Sequence, residues 1–93
     1  MSSISVSVII PALNEEAYIG QAIQSAWVAG ATEVIVADGG SNDRTLDIAR
    51  RMGAQDVCCP TGRAIQQNAG AAVAINRELE TRISTRVSWA GIG

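Results

Sequence analysis

The sequence predicts a three-layer α/β fold, in which helices cover both faces of a parallel sheet built in the order βαβαβα. Three observations predict this fold. Short runs of β-branched residues alternate along the chain with segments whose apolar residues recur at helical spacing. The strand runs have almost unbroken apolar interiors, which is typical of parallel strands buried on both faces. The chain has no Phe, two Trp and one Tyr, so its core must consist of small aliphatic side chains that pack closely.

Three strands are predicted from the apolar runs at residues 4–10, 33–37 and 54–59. The first run is expected to end at Pro11, because proline has no amide proton to donate to a sheet ladder. The third is expected to end at Pro60 for the same reason. Right-handed crossovers between successive strands then fix the winding of the sheet, which is Rossmann-like.

A helix is predicted after each strand. Asn14 is expected to cap the first helix, with Glu15 and Glu16 in its first turn near the positive end of the dipole, and the helix ends near residue 30. Ser41 or Asn42 is expected to cap the second helix, which runs to about residue 52. The third helix starts near residue 61, and its many alanines let it pack closely on the sheet.

Three polar loops follow the strands, at residues 11–16, 38–43 and 60–63. Because ligands bind beyond the carboxyl ends of parallel strands, these loops are expected to form one ligand-binding rim. Asp38 can accept hydrogen bonds from a base or a ribose, and Gly39 and Gly40 let a ligand approach the backbone. The alternative interpretation is that Asp38 and Asp43 only stabilise a tight turn and a helix start.

Two side chains of the third helix are further candidates for the same ligand. Arg63, at the start of the helix, can bind a diphosphate bidentately or can form an ordinary surface ion pair. Asn68 can donate a hydrogen bond to the ligand or can simply face solvent. Together with Asp38, these residues indicate a nucleotide site.

The composition excludes several chemistries. With no His and no Lys, the chain cannot build a Ser-His-Asp triad, a histidine metal site or a lysine-containing phosphate loop. A G-x-G-x-x-G motif is absent after the first strand, which argues against a nicotinamide or flavin site. The net charge of -2 provides no basic field for nucleic acid, so nucleic acid is not expected as a partner.

A cytoplasmic location is predicted from three features. No apolar run is long enough to cross a membrane, and the first residues lack the basic start of a signal peptide. Cys58 and Cys59 are adjacent, which suits neither metal-ligand spacing nor an ordinary disulfide. We therefore expect two small buried thiols in a reducing compartment.

Three motifs together resemble one family of enzymes. They read VIIPALNEE at residues 8–16, VIVADGGSNDRT at residues 34–45 and GRAIQQNAGAA at residues 62–72. In this order and at these spacings they are similar to the N-terminal half of family-2 glycosyltransferases with the GT-A fold, in the branch that reads D-G-G-S. The resemblance implies a truncated GT-A fold and a site for a nucleotide-diphosphate sugar. It implies that Pro11, Ala12, Leu13, Asn14 and Glu15 line the nucleoside, that Asp38 contacts the base or ribose, and that Arg63 lies near the base or diphosphate. Gly39, Gly40 and Asn68 complete the candidate set.

The resemblance divides the chain into a family portion, residues 1–75, and a different tail, residues 76–93. At the division the family pattern continues with an apolar strand that ends in Asp-x-Asp and holds a divalent metal, Mg or Mn, against the diphosphate. The tail is predicted to have neither this strand nor paired aspartates. The chain is therefore interpreted as binding a nucleotide-diphosphate sugar without its own metal ligands or catalytic base. Transfer to an acceptor is expected only if the missing half is supplied, so whether the chain is an enzyme stays open.

The tail also predicts self-association. Ile75, Leu79 and Ile83 recur every four residues, so the third helix is expected to continue to about residue 84. Residues 87–89 form either a short terminal strand or a frayed end. Without the family strand the edge of strand one is uncovered, and an apolar edge is a template for pairing. We expect a homo-oligomer through strand one or the tail.

Two competing hypotheses remain. In one, the chain is a non-catalytic, self-associating α/β module derived from a truncated or frameshifted glycosyltransferase. In the other, the acidic rim binds a metal as receiver domains do. The second is disfavoured, because the first strand ends in Pro11 instead of acids and no Lys is available.

Overall fold

The computed structural model describes residues 5–81 and 85–90. Strands and helices alternate strictly along the chain. The elements are β1 (Ser5–Ala12), α1 (Ile19–Val28), β2 (Glu33–Asp38), α2 (Thr45–Arg51), β3 (Gln55–Cys58), α3 (Arg63–Thr81) and β4 (Thr85–Trp89).

The four strands form one parallel sheet in the order β3-β2-β1-β4. Helices α1 and α2 contact each other on one face, whereas α3 packs on the opposite face. From β1 the chain passes through α1, β2 and α2 to β3, with both helices on one face of the sheet. It then crosses the opposite face as α3 and adds β4 on the other side of β1. Because the direction and the face change together, every crossover keeps the same hand. The predicted three-layer α/β fold is confirmed, with a fourth strand added.

Two aliphatic layers form the core, because alternate residues of a strand point to opposite faces of the sheet. The layer beneath α1 and α2 includes Val8, Ile10, Ile19, Ile23, Val34 and Val36. The layer beneath α3 is built on Ile9 and Ile35. Gly70 of α3 lies directly over Ile9, and a Cβ at this glycine would be 2.4 Å from Ile9 Cγ2. The missing side chain therefore lets α3 approach the sheet closely.

The prediction that Pro11 ends the first strand was wrong, since β1 continues to Ala12. The Ile9 carbonyl accepts a hydrogen bond from the amide of Ala90, so the backbone groups of Ile9 face β4. Backbone groups of alternate residues face the same neighbour, and Pro11 therefore also faces the β4 side. Because β4 ends at Trp89, opposite Ile9, no ladder bond is required where proline lacks its amide proton. The second and third strands match their predicted bounds within one residue at each end.

Helix α1 begins at Ile19, so the predictions that Asn14 caps it and that Glu15 and Glu16 lie in its first turn were wrong. Asn14 has a φ of 51°, and its side-chain oxygen accepts a hydrogen bond from the Asn42 amide. The asparagine thus binds a neighbouring loop instead of the helix that follows it.

Helix α2 begins at Thr45, so the prediction that Ser41 or Asn42 caps it was also wrong. The Ser41 hydroxyl donates to the Asp38 carboxylate. The Asp43 carboxylate accepts the hydrogen bond from the Thr45 amide at the start of the helix. A carboxylate competes well for free amides at a helix start, which accounts for the later beginning.

Strand β4 pairs with β1 from Ser5 opposite Thr85 to Ile9 opposite Trp89. The prediction that no strand follows α3 beside strand one was therefore wrong, and of the two alternatives left open for residues 87–89 the structure shows the short strand. Strand β1 is central, so the predicted open edge of strand one was wrong, and pairing of copies through that edge loses its basis. The covering strand is stabilised by Val87, which packs against the layer beneath α3. The predicted end of the third helix near residue 84, with Ile83, lies outside the described residues.

Both cysteines are free thiols. Cys58 is exposed at the end of edge strand β3 and Cys59 is half-buried, so the expectation of two buried thiols was wrong. Burial raises the pKa of the Cys59 thiol, which makes it a weak nucleophile at neutral pH. Over the residues that the structure describes, no helix is long and apolar enough to span a bilayer.

Candidate functional site

A cleft of about 450 Å³ opens at the carboxyl end of the sheet beside β1 and β4, where the winding of the chain reverses direction. This switch point is where open α/β sheets bind ligands. The volume lies within the range of about 300–1,000 Å³ found for small-molecule sites. The walls come from the loop after β1, the start of α3 and the end of β4, and they include Pro11, Leu13, Glu15, Arg63, Gln66 and Trp89.

Gln66 joins the elements around the cleft. Its side chain is buried, and its Nε2 donates to the carbonyls of Ala12 and Ala37, each at 2.9 Å. Its Oε1 accepts the hydrogen bond of the Gly62 amide at 3.1 Å. One side chain of α3 therefore fixes the ends of β1 and β2 to the start of its own helix.

The loop after β1 is also fixed to the loop after β2. The amide of Asn14 donates to Ser41 Oγ, and the amide of Asn42 donates to Asn14 Oδ1, each at 2.8 Å. The amide of Glu15 donates to Thr45 Oγ1 at the same distance. These bonds set the position of the loop that carries the cleft residues Leu13 and Glu15.

Asp43 anchors the same junction. Its carboxylate accepts hydrogen bonds from the Glu16 amide and from the amide and hydroxyl of Thr45. The bond from the Thr45 hydroxyl is the main reason that the pKa of Asp43 lies below its ordinary value. The ionised carboxylate is therefore the form that stabilises this loop at neutral pH.

Asp38 is only 2% exposed and is not among the residues that line the cleft. Its carboxylate accepts hydrogen bonds from the amides of Gly40 and Ser41, at 3.1 and 2.9 Å, and from the Ser41 hydroxyl. Gly40 has a φ of 107°, which permits this tight turn. These contacts fit the alternative interpretation, in which Asp38 stabilises its own loop. Its contact with a base or ribose stays a prediction.

The structure brings four of the ten candidate residues to the cleft: Pro11, Leu13, Glu15 and Arg63. The other six lie outside it. Ala12, Asp38 and Gly39 are buried, Gly40 and Asn14 lie in the connecting loops, and Asn68 is exposed on α3. The ligand contacts assigned to all ten residues stay predictions.

Sequence reasoning missed three residues that form the site. Gln66 lies inside the third motif, yet a glutamine on a helix carries no periodic signal of its contacts. The Thr61 hydroxyl donates a hydrogen bond to the Gly39 carbonyl at 2.6 Å. Thr61 lies in the polar loop predicted at residues 60–63, and that loop was the available sequence signal. Trp89 reaches the cleft only because β4 pairs with β1.

The donor groups do not fit a divalent metal. Within residues 5–81 and 85–90, no group of three or more His, Cys, Asp or Glu side chains lies close enough together to hold an ion. Glu15 is the one carboxylate among the described residues that line the cleft. Strand β4 ends at Trp89 and is followed by Ala90, where the resemblance implied paired acids.

These features define a class of protein: an α/β domain with a cleft at the switch point of a parallel sheet. Residues 7–81 match the model of the family described as Glycosyl transferase family 2. The chain belongs to this family. The resemblance drawn from the three sequence motifs is thereby confirmed.

Known proteins match part of the chain. It is 50% identical over 52 residues to 4,4'-diaponeurosporenoate glycosyltransferase of Staphylococcus haemolyticus. This match covers 55% of this chain and 14% of that protein. It is 42% identical, with a TM-score of 0.53, to glucosyl-3-phosphoglycerate synthase from Mycobacterium tuberculosis in complex with Mn²⁺, uridine diphosphate (UDP) and glucosyl-3-phosphoglycerate. That match covers 58% of this chain and 20% of the synthase. The complex of the same synthase with UDP matches with the same identity and TM-score and covers 21% of the synthase. The GT-A fold is confirmed by these neighbours, and the chain spans about a fifth or less of their lengths.

Proposed function

We propose that the cleft binds the nucleoside diphosphate part of a nucleotide-sugar donor. One observation carries the proposal: the cleft lies at the switch point of a family-2 glycosyl transferase sheet, and its walls come from the first and third motifs. The proposal is supported by the similar synthase structures, which were solved in complex with UDP and with UDP-glucose.

The nucleoside is assigned to the loop after β1. Pro11 and Leu13 offer an apolar wall, and Leu13 is 37% exposed. Glu15 in the same loop can accept hydrogen bonds from ribose hydroxyls or from an N–H of the base. Asp38 contributes through the shape of its loop, and a direct contact with the ligand would require it to give up one of its loop hydrogen bonds.

The diphosphate is assigned to the start of α3. Arg63 is exposed at the first position of this helix, where its guanidinium can form two parallel bonds with phosphate oxygens. The first amides of the helix add a positive field at the same point. Repulsion by the Glu15 carboxylate also favours placing the phosphates beside Arg63. Asn68 lies farther along α3, outside the cleft, and would reach only an extended ligand.

Sugar transfer to an acceptor is proposed only for an assembly in which further residues supply the acceptor site and a catalytic base. The chain spans a small fraction of its relatives, and Glu15 is the one described carboxylate at the cleft. The alternative is a non-catalytic module that associates through its tail. The outer edge of β4 favours it, because β4 is an edge strand in the part of the sheet that the structure describes.

We also propose a cytoplasmic location, because Cys58 and Cys59 are free thiols and a reducing compartment keeps thiols free. Fractionation of cells that produce the chain is the measurement, and recovery with the secreted or membrane fraction would contradict it.

Titration calorimetry with UDP and guanosine diphosphate, each with and without Mn²⁺, tests the donor site. We expect UDP to bind, and we expect Mn²⁺ to change its affinity little, because the described residues do not form a metal site. Arg63→Ala should weaken UDP binding by about tenfold or more, since hydrogen bonds to charged groups contribute about 1.5–3 kcal/mol.

Arg51→Ala is the matched control. Arg51 is an exposed arginine at the end of α2, on the other face of the sheet, where it pairs with Asp47. Its removal should leave UDP affinity unchanged. A folded chain that binds neither diphosphate would overturn the proposed function, and equal losses in the two variants would remove Arg63 from the site.

A further inference from the structure

Trp89 is a large aromatic side chain left half in solvent at the mouth of the cleft. It is 51% exposed, and it lines the cleft together with residues of the β1 loop and of α3. The chain has two tryptophans, and the other, Trp27, is half-buried with its indole N–H bonded to the Met52 carbonyl at 3.1 Å. Of the two indole rings, that of Trp89 is therefore the one with a large exposed apolar surface.

Strand register places Trp89 close to the nucleoside end of the cleft. It lies opposite Ile9, and Pro11 follows only two residues later on β1. Residues opposite one another in neighbouring parallel strands share a face, so Trp89 is on the same face of the sheet as Ile9, at the outer strand. Arg63 and Gln66 of α3 line the same cleft.

Trp89 also lies outside residues 7–81, which match the family model. Its contribution to the cleft therefore comes from the part of the chain that the family match does not cover. The neighbouring residue in the cleft, Ala90, offers neither charge nor a side-chain hydrogen bond to a ligand.

We propose that Trp89 is a stacking surface for the nucleobase of the nucleoside diphosphate, and that β4 thereby supplies binding energy at a point where no metal ligands are described. This inference rests on the proposed function of the cleft. A base placed between Trp89 and the β1 loop lies next to Pro11 and Leu13, and its phosphates then extend towards Arg63. Stacking suits any base, so Trp89 contributes affinity, and the choice between bases falls to polar groups such as Glu15.

The test combines tryptophan fluorescence with calorimetry on the full chain. UDP should quench the emission of the unchanged chain, and the quenching should disappear in Trp89→Phe, in which Trp27 is the remaining emitter. Trp89→Leu should weaken UDP binding by about tenfold, because stacking contributes on the order of 1–3 kcal/mol per base. Trp89→Phe should keep most of the affinity, since phenylalanine retains an aromatic face.

Pyrophosphate, which has no base, is the control ligand. Its affinity should be the same in the unchanged chain and in both variants, and circular dichroism should give them the same folded spectrum. If UDP binds but its quenching and affinity do not depend on Trp89, the inference is overturned and the proposed function stands. If Trp89→Leu weakens UDP-glucose but not UDP, the ring stacks on the sugar and the assignment to the base is overturned. If no UDP binds, both proposals fail.

Discussion

Gln66 shows how far a single side chain can determine the shape of this cleft. Its amide makes three hydrogen bonds that join the ends of β1 and β2 to the start of α3. Its side chain also fills the space above Gly39, where a Cβ would lie 3.1 Å from the Gln66 amide. The position of the Gln66 side chain therefore requires a residue without a Cβ at Gly39. Nothing in the sequence indicates that these two residues are in contact.

Replacing Gln66 by Leu should lower the free energy of unfolding by about 2–4 kcal/mol, because buried carbonyl and amide groups would lose their partner. Gln24→Leu is the control, since Gln24 is exposed on α1 and its replacement should change stability by no more than about 0.5 kcal/mol. Urea unfolding followed by circular dichroism measures both. Equal midpoints for the two variants would show that the Gln66 bonds contribute nothing to the fold.

Arg63, in contrast, could be placed from the sequence. Its position at the start of the third helix was predicted from the sequence, and the structure places it there, in the cleft wall. A helix start is encoded by nearby residues, so the prediction did not depend on distant contacts. Asn14 and Ser41 were predicted by the same reasoning as helix caps, and both instead bond to a different loop.

The packing of α3 on the sheet depends on its glycine over Ile9. Gly70→Ala should destabilise the chain by about 1–3 kcal/mol, because the new methyl group would overlap the Ile9 side chain. The better helix propensity of alanine offsets at most about 1 kcal/mol of this loss.

Gly20→Ala in α1 is the matched comparison. The nearest atoms to a Cβ there are Met52 Sδ at 3.5 Å and Ile48 Cγ2 at 3.6 Å, which are ordinary contacts. This replacement should stabilise the chain by up to about 0.5–1 kcal/mol. Thermal unfolding measures the pair, and a stabilised Gly70→Ala variant would contradict the close approach of α3 to β1.

Strand β4 is the element that most changes the interpretation of the chain. The run TRVSW carries no strong strand signal in isolation, and its pairing with β1 and the packing of Val87 hold it in the sheet. Strand β4 comes after α3, where the family resemblance implied a strand that ends in paired acids. It ends instead at Trp89, and the next residue is Ala90.

Strand β4 determines which edges of the sheet are open. The outer strands of the described sheet are β3 and β4, while β1 is covered. Self-association through the tail was predicted from the sequence and stays a prediction.

A chain shortened to end at residue 81 distinguishes self-association through the edge of β1 from self-association through the tail. Loss of β4 would uncover the edge of β1, whose interior holds no charge, so we expect the shortened chain to associate more strongly than the full chain. Light scattering at equal concentrations, in the tens of micromolar, measures this difference. Association of the full chain that disappears on shortening would instead support self-association through the tail.

Hydrophobic periodicity and turn residues act over short distances along the chain, so the sequence alone predicts the alternation of strands and helices, the parallel sheet and the family. Contacts that form on folding are needed for Gln66 to join three elements, for Asn14 to bind a neighbouring loop, for Asp38 to be buried away from the cleft lining and for β4 to cover β1. Each of these depends on partners more than twenty residues away or on burial between layers. Local propensity does not encode such contacts, since they form only when the sheet assembles.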